Sequence, residues 1–117
     1  MLLRPLRWVG SSRDDLLALP EEVRREIGYA LYVAQTGDKA EGVKPLKGFA
    51  GSVLEVVENH DGDTYRGVYT VRFASAVYVL HAFQKKSKAG VKTPKKELEL
   101  IERRLKAAKQ MDEEQSA

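Results

Sequence analysis

The chain has 117 residues, which is enough for one compact domain and too few for two. Hydrophobic residues make up 43% and charged residues 32%, a balance that excludes a wholly disordered chain and a fibrous repeat, and the absence of cysteine excludes disulfide frameworks and thiol catalysis. The apolar runs are far shorter than the roughly 20 residues of a membrane span, and the first residues do not resemble a secretory signal, so we expect a cytoplasmic protein.

The net charge of +3 is unevenly distributed along the chain. Residues 85–109 carry ten Lys and Arg side chains against three Glu, a local net charge of +7. A localised basic segment indicates an anionic partner more clearly than the overall charge does.

The first third of the chain predicts one short strand and two helices. Residues 6–9 form the strand candidate, which ends at Gly10, and Ser11 or Ser12 is placed to cap the helix that follows. Pro20 is typical of the first position of a second helix, which Gly37 ends. The apolar residues of this second helix recur at helical spacing: Val23, Ile27, Leu31 and Ala34.

The remainder predicts a loop, three strands and a last helix. Residues 36–52 are polar and rich in glycine, whereas residues 53–58, 64–73 and 76–85 are rich in Val, Tyr and Phe. Thr93 and Pro94 open a helix whose apolar stripe contains Leu98, Ile101, Leu105 and Ala108. The order β-α-α-β-β-β-α predicts an α+β fold with helices on one face of a mainly antiparallel sheet. We expect one domain over residues 1–111 and a disordered acidic tail over 112–117.

Alternation along the second of the three strands places Arg66 and Arg72 on one face, which we expect to be exposed to solvent. Arginine side chains on such a face have two interpretations. They pair with Glu55 or Glu58 across the sheet, or their planar guanidinium groups bind phosphate.

Six lysines lie where the last strand ends and the last helix begins: Lys85, Lys86, Lys88, Lys92, Lys95 and Lys96. A helix N-terminus attracts anions, and lysines around it favour a phosphate site. The alternative is an ordinary solvated surface.

Two histidines, His60 and His81, are too few for a metal site without clustered carboxylates, so we predict no metal and no cofactor. His81 is either a hydrogen-bonded core residue or a proton-transfer group, because its unperturbed pKa is near 6.5.

The most specific motif of the chain is a strand segment, Tyr65-Arg66-Gly67-Val68-Tyr69, followed by His81-Ala82-Phe83-Gln84-Lys85-Lys86. Further segments extend the pattern over nearly the whole chain: Arg7-Trp8-Val9-Gly10-Ser11-Ser12, Pro20-Glu21-Glu22-Val23-Arg24-Arg25-Glu26, Lys44-Pro45-Leu46-Lys47-Gly48, Leu54-Glu55-Val56 and Thr93-Pro94. Together these motifs resemble the phage-derived HigB-like branch of the RelE/ParE toxin superfamily.

The resemblance implies a RelE-like fold and the toxin of a type II toxin–antitoxin pair, a metal-independent endoribonuclease that cuts mRNA on the ribosome. It implies catalytic roles for Arg66, Lys85 and Lys86, and a helix-turn-helix antitoxin, encoded by a neighbouring gene, as partner. The ordinary pKa of histidine makes His81 the alternative proton-transfer group. We expect the antitoxin to cover the basic corner of residues 85–96 or to displace the last helix. The expected RNA-binding side chains are Lys47, Arg72, Lys88, Lys92, Lys95 and Lys96.

Two other functions fit the same residues. A ParE-like inhibitor of DNA gyrase would arrest growth with intact mRNA. A basic accessory protein would bind RNA in a salt-sensitive manner without cleaving it.

Overall fold

The computed structural model describes residues 2–85 and 93–116. Within these residues there are five strands and three helices. In chain order they are β1 (Leu6–Trp8), α1 (Ser12–Leu17), α2 (Glu21–Gln35), β2 (Lys44–Pro45), β3 (Val53–His60), β4 (Asp63–Thr70), β5 (Val77–Lys85) and α3 (Lys95–Ser116).

The strands form one sheet in the order β1-β5-β4-β3-β2. Strand β1 is parallel to β5, and the other neighbours are antiparallel. The predicted α+β class is therefore confirmed, and the predicted element order holds except for one additional strand, β2. Strand β2 was not predicted, because its two residues lie in a polar, glycine-rich stretch that shows no hydrophobic period; it pairs Lys44 with Glu55.

Helices cover both faces of the sheet and create two apolar cores, which corrects the prediction that the helices lie on one face. Helix α2 and Leu16 of α1 pack on one face, where Gly67 lets α2 come close: a Cβ at Gly67 would lie 2.7 Å from Cγ2 of Ile27. Helix α3 packs on the other face, with Ile101 and Ala108 fully buried.

The face of β4 that carries Arg66 is buried, which corrects the prediction that it is exposed to solvent. Arg66 is 4% exposed, and Val68 and Thr70 on the same face are almost completely buried. The reason is α3, whose apolar stripe covers this face; the pattern of one strand does not reveal which later element packs on it. Arg72 lies beyond the end of β4 and is exposed.

A β-bulge in β5 decides which side chains share the α3 face. Val68 pairs with His81 while the next residue, Tyr69, pairs with Val79, so Leu80 is an extra residue in β5. Alternation restarts after the bulge. As a result Phe83 and Lys85, like His81, lie on the same face as Arg66, which simple alternation along β5 leaves undecided.

Helix α3 continues to Ser116, so residues 112–116 are helical where the sequence analysis expects a disordered tail. The side chain of Asp112 anchors this end, since it accepts hydrogen bonds from Ser75 and from the hydroxyl of Tyr78 (3.1 Å). None of the helices in the described residues has the length and apolarity to cross a membrane.

Candidate active site

An ion pair between Arg66 and Glu55 lies at the centre of the α3 face. Nη1 of Arg66 donates to Oε2 of Glu55 at 2.7 Å, and the two side chains are 5% and 6% exposed. The sheet register brings them together, because Arg66 pairs with Val57 and Glu55 lies two residues before Val57 on the same face. The pairing with Glu55 is one of the two interpretations that the sequence left open for Arg66.

A second cation approaches the same carboxylate from the edge of the sheet. Nζ of Lys44 lies 3.9 Å from Oε1 of Glu55, and the Lys44 side chain is 59% exposed. Strand β2 therefore has a clear consequence despite its length: it holds a solvent-accessible ammonium beside a buried carboxylate.

These groups line a cleft of about 410 Å³ between β2, β3, β4 and the start of α3. Nη1 of Arg66 also lies 3.5 Å from the hydroxyl of Thr93, the residue that precedes α3 by two positions. Glu55 is the one carboxylate among the described residues that line it: Lys44, Pro45, Leu46, Lys47, Gly48, Glu55, Arg66, Thr93 and Leu98.

Lys85 lies beside this cleft on the last strand. It pairs with Thr64, one pleat along from the pairing of Arg66 with Phe83, and it is 8% exposed. Burial lowers the pKa of Lys85, and the neighbouring Arg66 charge lowers it further, against a smaller opposing effect of Glu55. A lysine with a lowered pKa exchanges protons near neutral pH more readily than an ordinary one.

His81 belongs to a different cluster, which joins β5 to α1 and α3. Its Nε2 lies 3.3 Å from Oε2 of Glu97, its Nδ1 lies 3.9 Å from Oδ2 of Asp15, and its ring stacks on Phe83 with 4.6 Å between centroids. Burial lowers the pKa of His81, which outweighs the raising effect of Glu97. Its surroundings match the hydrogen-bonded core histidine of the sequence analysis.

Arg104 of α3 ties this histidine cluster to the start of α1. Its Nη1 donates to the carbonyl oxygen of Leu80 (2.8 Å), and its Nη2 donates to the hydroxyl of Ser11 (2.9 Å). The backbone of Gly10 passes so close that a Cβ there would lie 2.9 Å from Nε of Arg104, and its φ of +57° is one that side chains disfavour. This glycine lets α3 dock on the β1–α1 turn.

A larger groove of about 530 Å³ adjoins the cleft and shares Lys47, Gly48 and Leu98 with it. Among the residues that the structure describes, five cationic side chains and two acidic ones line this groove. The cations are Lys47, Arg72, Lys95, Lys106 and Lys109, and the acids are Glu99 and Glu102. The rings of Phe49 and Phe73 form part of its walls. We refer to it as the basic groove.

The structure thus separates the residues that the sequence singles out. Arg66 and Lys85 are neighbours at the cleft, while Lys47, Arg72 and Lys95 meet in the basic groove, although they lie far apart in the chain. Lys96 is exposed on the first turn of α3. Three of the predicted site residues, Lys86, Lys88 and Lys92, lie outside the described residues.

The sequence analysis did not assign Glu55 or Lys44 a functional role. The available signal was a single carboxylate in the strand run Val53-Leu54-Glu55-Val56-Val57, where a charged residue is unexpected unless it is paired. Lys44 carried no such signal, because a lysine in a polar loop is unremarkable. Among residues 2–85 and 93–116, no group of three or more metal-ligating side chains could hold a metal ion.

Comparison with solved structures defines the class of fold. The chain superposes on a double arginine-to-alanine variant of the toxin RelE from Escherichia coli in its free state, with a TM-score of 0.59, 15% identity, and coverage of 91% of this chain and 98% of that one. It is also similar to a chain of the toxin–antitoxin complex RelBE2 from Mycobacterium tuberculosis, with a TM-score of 0.48, 18% identity, and coverage of 74% and 97%. The first similarity shows a RelE-like fold.

Sequence comparison identifies the family. The model of the family described as phage-derived Gp49-like proteins (DUF891) matches residues 14–106, which include the cleft, the histidine cluster and most of the basic groove. The chain belongs to this family. No curated protein matches it in sequence.

Proposed function

We propose that this protein is the toxin of a type II toxin–antitoxin pair and acts as a metal-independent endoribonuclease on mRNA at the ribosome. The observation that carries the proposal is the cleft on a RelE-like fold, in which one buried carboxylate, Glu55, lies between the cations Arg66 and Lys44, with Lys85 beside it. Carboxylate and cations together supply what RNA cleavage requires of a protein.

RNA carries its own nucleophile, the 2′-hydroxyl, so the protein has to align this group with the phosphorus and stabilise the transition state. Arg66 and Lys85 are the cations that neutralise the charge developing on the phosphoryl oxygens. Attack forms the bond from the 2′ oxygen to phosphorus and breaks the bond from phosphorus to the 5′ oxygen. The products are a 2′,3′-cyclic phosphate and a 5′-hydroxyl.

Two protons move in this reaction, and the cleft offers a group for each. Glu55 accepts the proton of the 2′-hydroxyl, because it is the carboxylate of the cleft and its neighbours Lys44 and Arg66 hold it in place. Lys85 donates a proton to the leaving 5′ oxygen, since its lowered pKa makes its ammonium a stronger acid than that of an exposed lysine. We assign His81 to the packing of α3, not to proton transfer.

The basic groove extends the cleft and binds the RNA chain next to the cut. Its cations contact phosphates, and Phe49 and Phe73 offer faces on which unpaired bases stack. The partner in the cytoplasm that keeps this activity in check is a helix-turn-helix antitoxin.

The test is to induce the chain in a bacterial host and map new mRNA 5′ ends, with translation either active or blocked. Glu55→Gln is the informative variant, because it keeps the size of the side chain and a hydrogen bond to Arg66 while it removes the base. Cuts that need both translation and Glu55 support the proposal. Growth arrest with intact mRNA would favour a gyrase-type target, and cuts in untranslated RNA would indicate a ribonuclease that works without the ribosome.

A further inference from the structure

The N-terminal segment and the first two helices carry exposed apolar side chains. Within residues 2–85 and 93–116, five large hydrophobic side chains have about half or more of their surface exposed. They are Leu2, Leu3, Leu17, Tyr29 and Tyr32. All of them belong to the first 32 residues, in the N-terminal segment, α1 or α2. Leu17 of this set also lines a groove on the α2 side of the sheet, and an exposed apolar patch is a mark of an interaction surface.

A groove of about 470 Å³ opens on this side, between β1, α1 and α2. Its apolar lining is formed by Leu6, Trp8, Leu16, Leu17 and Leu31. Its charged lining consists of Arg13, Arg24 and Arg25 against one carboxylate, Glu21, which Arg25 already engages at 3.2 Å. The groove therefore combines an apolar floor with an excess of positive charge.

Gly28 lies in this groove, in the interior of α2, where glycine destabilises a helix relative to alanine. A Cβ at Gly28 would meet nothing within 4 Å, so packing within the described chain does not require glycine there. Gly67 is the contrasting case, since its missing Cβ makes room for Ile27. The open notch at Gly28 is suited to the close approach of another molecule.

We propose that this groove, which we call the α2 groove, is the docking surface for an acidic amphipathic segment of the antitoxin. The inference rests on the proposed function for the identity of the partner. Apolar side chains of that segment fill the groove above Gly28, and its carboxylates pair with Arg13 and Arg24. The groove lies on the opposite face of the sheet from Arg66, so docking there leaves the cleft uncovered by this contact.

The test uses the protein encoded by the reading frame adjacent to this chain's gene as the probe. Its dissociation constant is measured by titration calorimetry against the full chain, Gly28→Trp, Gly28→Ala and Arg24→Glu. Glu26→Trp is the matched control for Gly28→Trp, because it places the same side chain on the same helix at an exposed position outside the groove. Lys39→Glu is the charge-matched control for Arg24→Glu. Thermal unfolding verifies that each variant is folded.

We expect Gly28→Trp and Arg24→Glu each to weaken binding by about tenfold or more, with Gly28→Ala intermediate and the controls unchanged. Wild-type affinity in folded Gly28→Trp, or no binding of the probe to the wild-type chain, would overturn the docking proposal. Growth arrest by the wild-type chain is scored separately. A chain that binds the probe through this groove but neither arrests growth nor cuts mRNA would overturn the proposed function and leave the docking surface standing.

Discussion

The pairing of Arg66 with Glu55 makes Arg66 a structural residue as well as a candidate catalytic one. Replacement by alanine would remove the cation that lies 2.7 Å from the Glu55 carboxylate, whose side chain is 6% exposed. We expect Arg66→Ala to lower the free energy of unfolding by about 3 kcal/mol, as for other broken buried ion pairs. Denaturant unfolding measures this loss. Arg66→Lys is the control, since it keeps a cation near Glu55 and should lose less stability; equal losses in both variants would contradict the role of charge.

Glycine at position 28 and glycine at position 67 predict opposite responses to the same substitution. Gly28→Ala should raise the free energy of unfolding by about 1 kcal/mol, because alanine is the better helix former and its Cβ meets open space. Gly67→Ala should destabilise the protein, because its Cβ would lie 2.7 Å from Ile27. Urea unfolding of both variants is the measurement. A destabilised Gly28→Ala would show that the fold itself requires glycine at position 28.

Sequence reasoning at the residue scale found Arg66, because an arginine within a strand of apolar and aromatic residues stands out. It did not find Lys44, whose importance depends on a two-residue strand, and it predicted the wrong exposure for Arg66. Both shortcomings have one cause. The environment of a side chain depends on an element far away in the chain, here α3 for Arg66 and β3 for Lys44.

At the scale of elements, the helices and long strands were predictable because their hydrophobic periods are strong, as in α2 with Val23, Ile27 and Ala34. The sequence did not predict which side chains of β5 lie on which face of the sheet. The bulge at Leu80 interrupts the alternation of this strand, and no glycine or proline marks the bulge in the sequence. The helical end of α3 was also missed, since the acidic composition of residues 112–116 does not show that Asp112 bonds to Ser75 and Tyr78.

The contacts of His81 with Asp15 of α1 and Glu97 of α3 predict that the stability of the fold depends on pH. The folded-state pKa of His81 is lowered by burial, so the unfolded chain binds the proton more tightly and stability rises with pH. The contribution is fully present above the unfolded pKa near 6.5 and is lost as the pH falls below that value. Asp15, Glu97 and Arg104 are the charged side chains that act on the ring.

We therefore expect the wild-type protein to lose stability between pH 7.5 and 5.5, measured by urea unfolding, and His81→Gln to lose clearly less over the same interval. His60→Gln is the matched control, because His60 is removed from α3 and bonds to Glu22 and Asp61 instead. If His81→Gln and the wild type had the same pH profile, burial of a neutral His81 would be ruled out as the cause.

At the scale of the whole molecule, the two faces of the sheet have different surfaces. The α3 face presents the cleft and the basic groove, and the α2 face presents exposed apolar residues and an arginine-rimmed groove. The overall fold was predictable from element order and from the resemblance of the motifs. The grooves could not be predicted from the sequence, because each is formed by segments that only the tertiary structure brings together.

The basic groove predicts a salt-dependent affinity for single-stranded RNA. Replacing Lys106 and Lys109 by glutamine removes two of its five cations without touching the cleft. The slope of log K against log salt should become shallower by about 1.4, the release of roughly 0.7 counterion for each lost phosphate contact. Fluorescence anisotropy with an RNA oligonucleotide measures it, and Lys39→Gln is the control. An unchanged slope in the double variant would show that RNA does not use this groove.

Cleavage of a ribosome-bound mRNA by the purified protein, with either a normal or a single 2′-deoxy nucleotide at the mapped cut, tests the proposed ribonuclease most directly. We expect a 2′,3′-cyclic phosphate product from the normal RNA, no cut at the 2′-deoxy position, and no product with Glu55→Gln. Cleavage at the 2′-deoxy position, or no cleavage of the normal RNA with or without ribosomes, would contradict it.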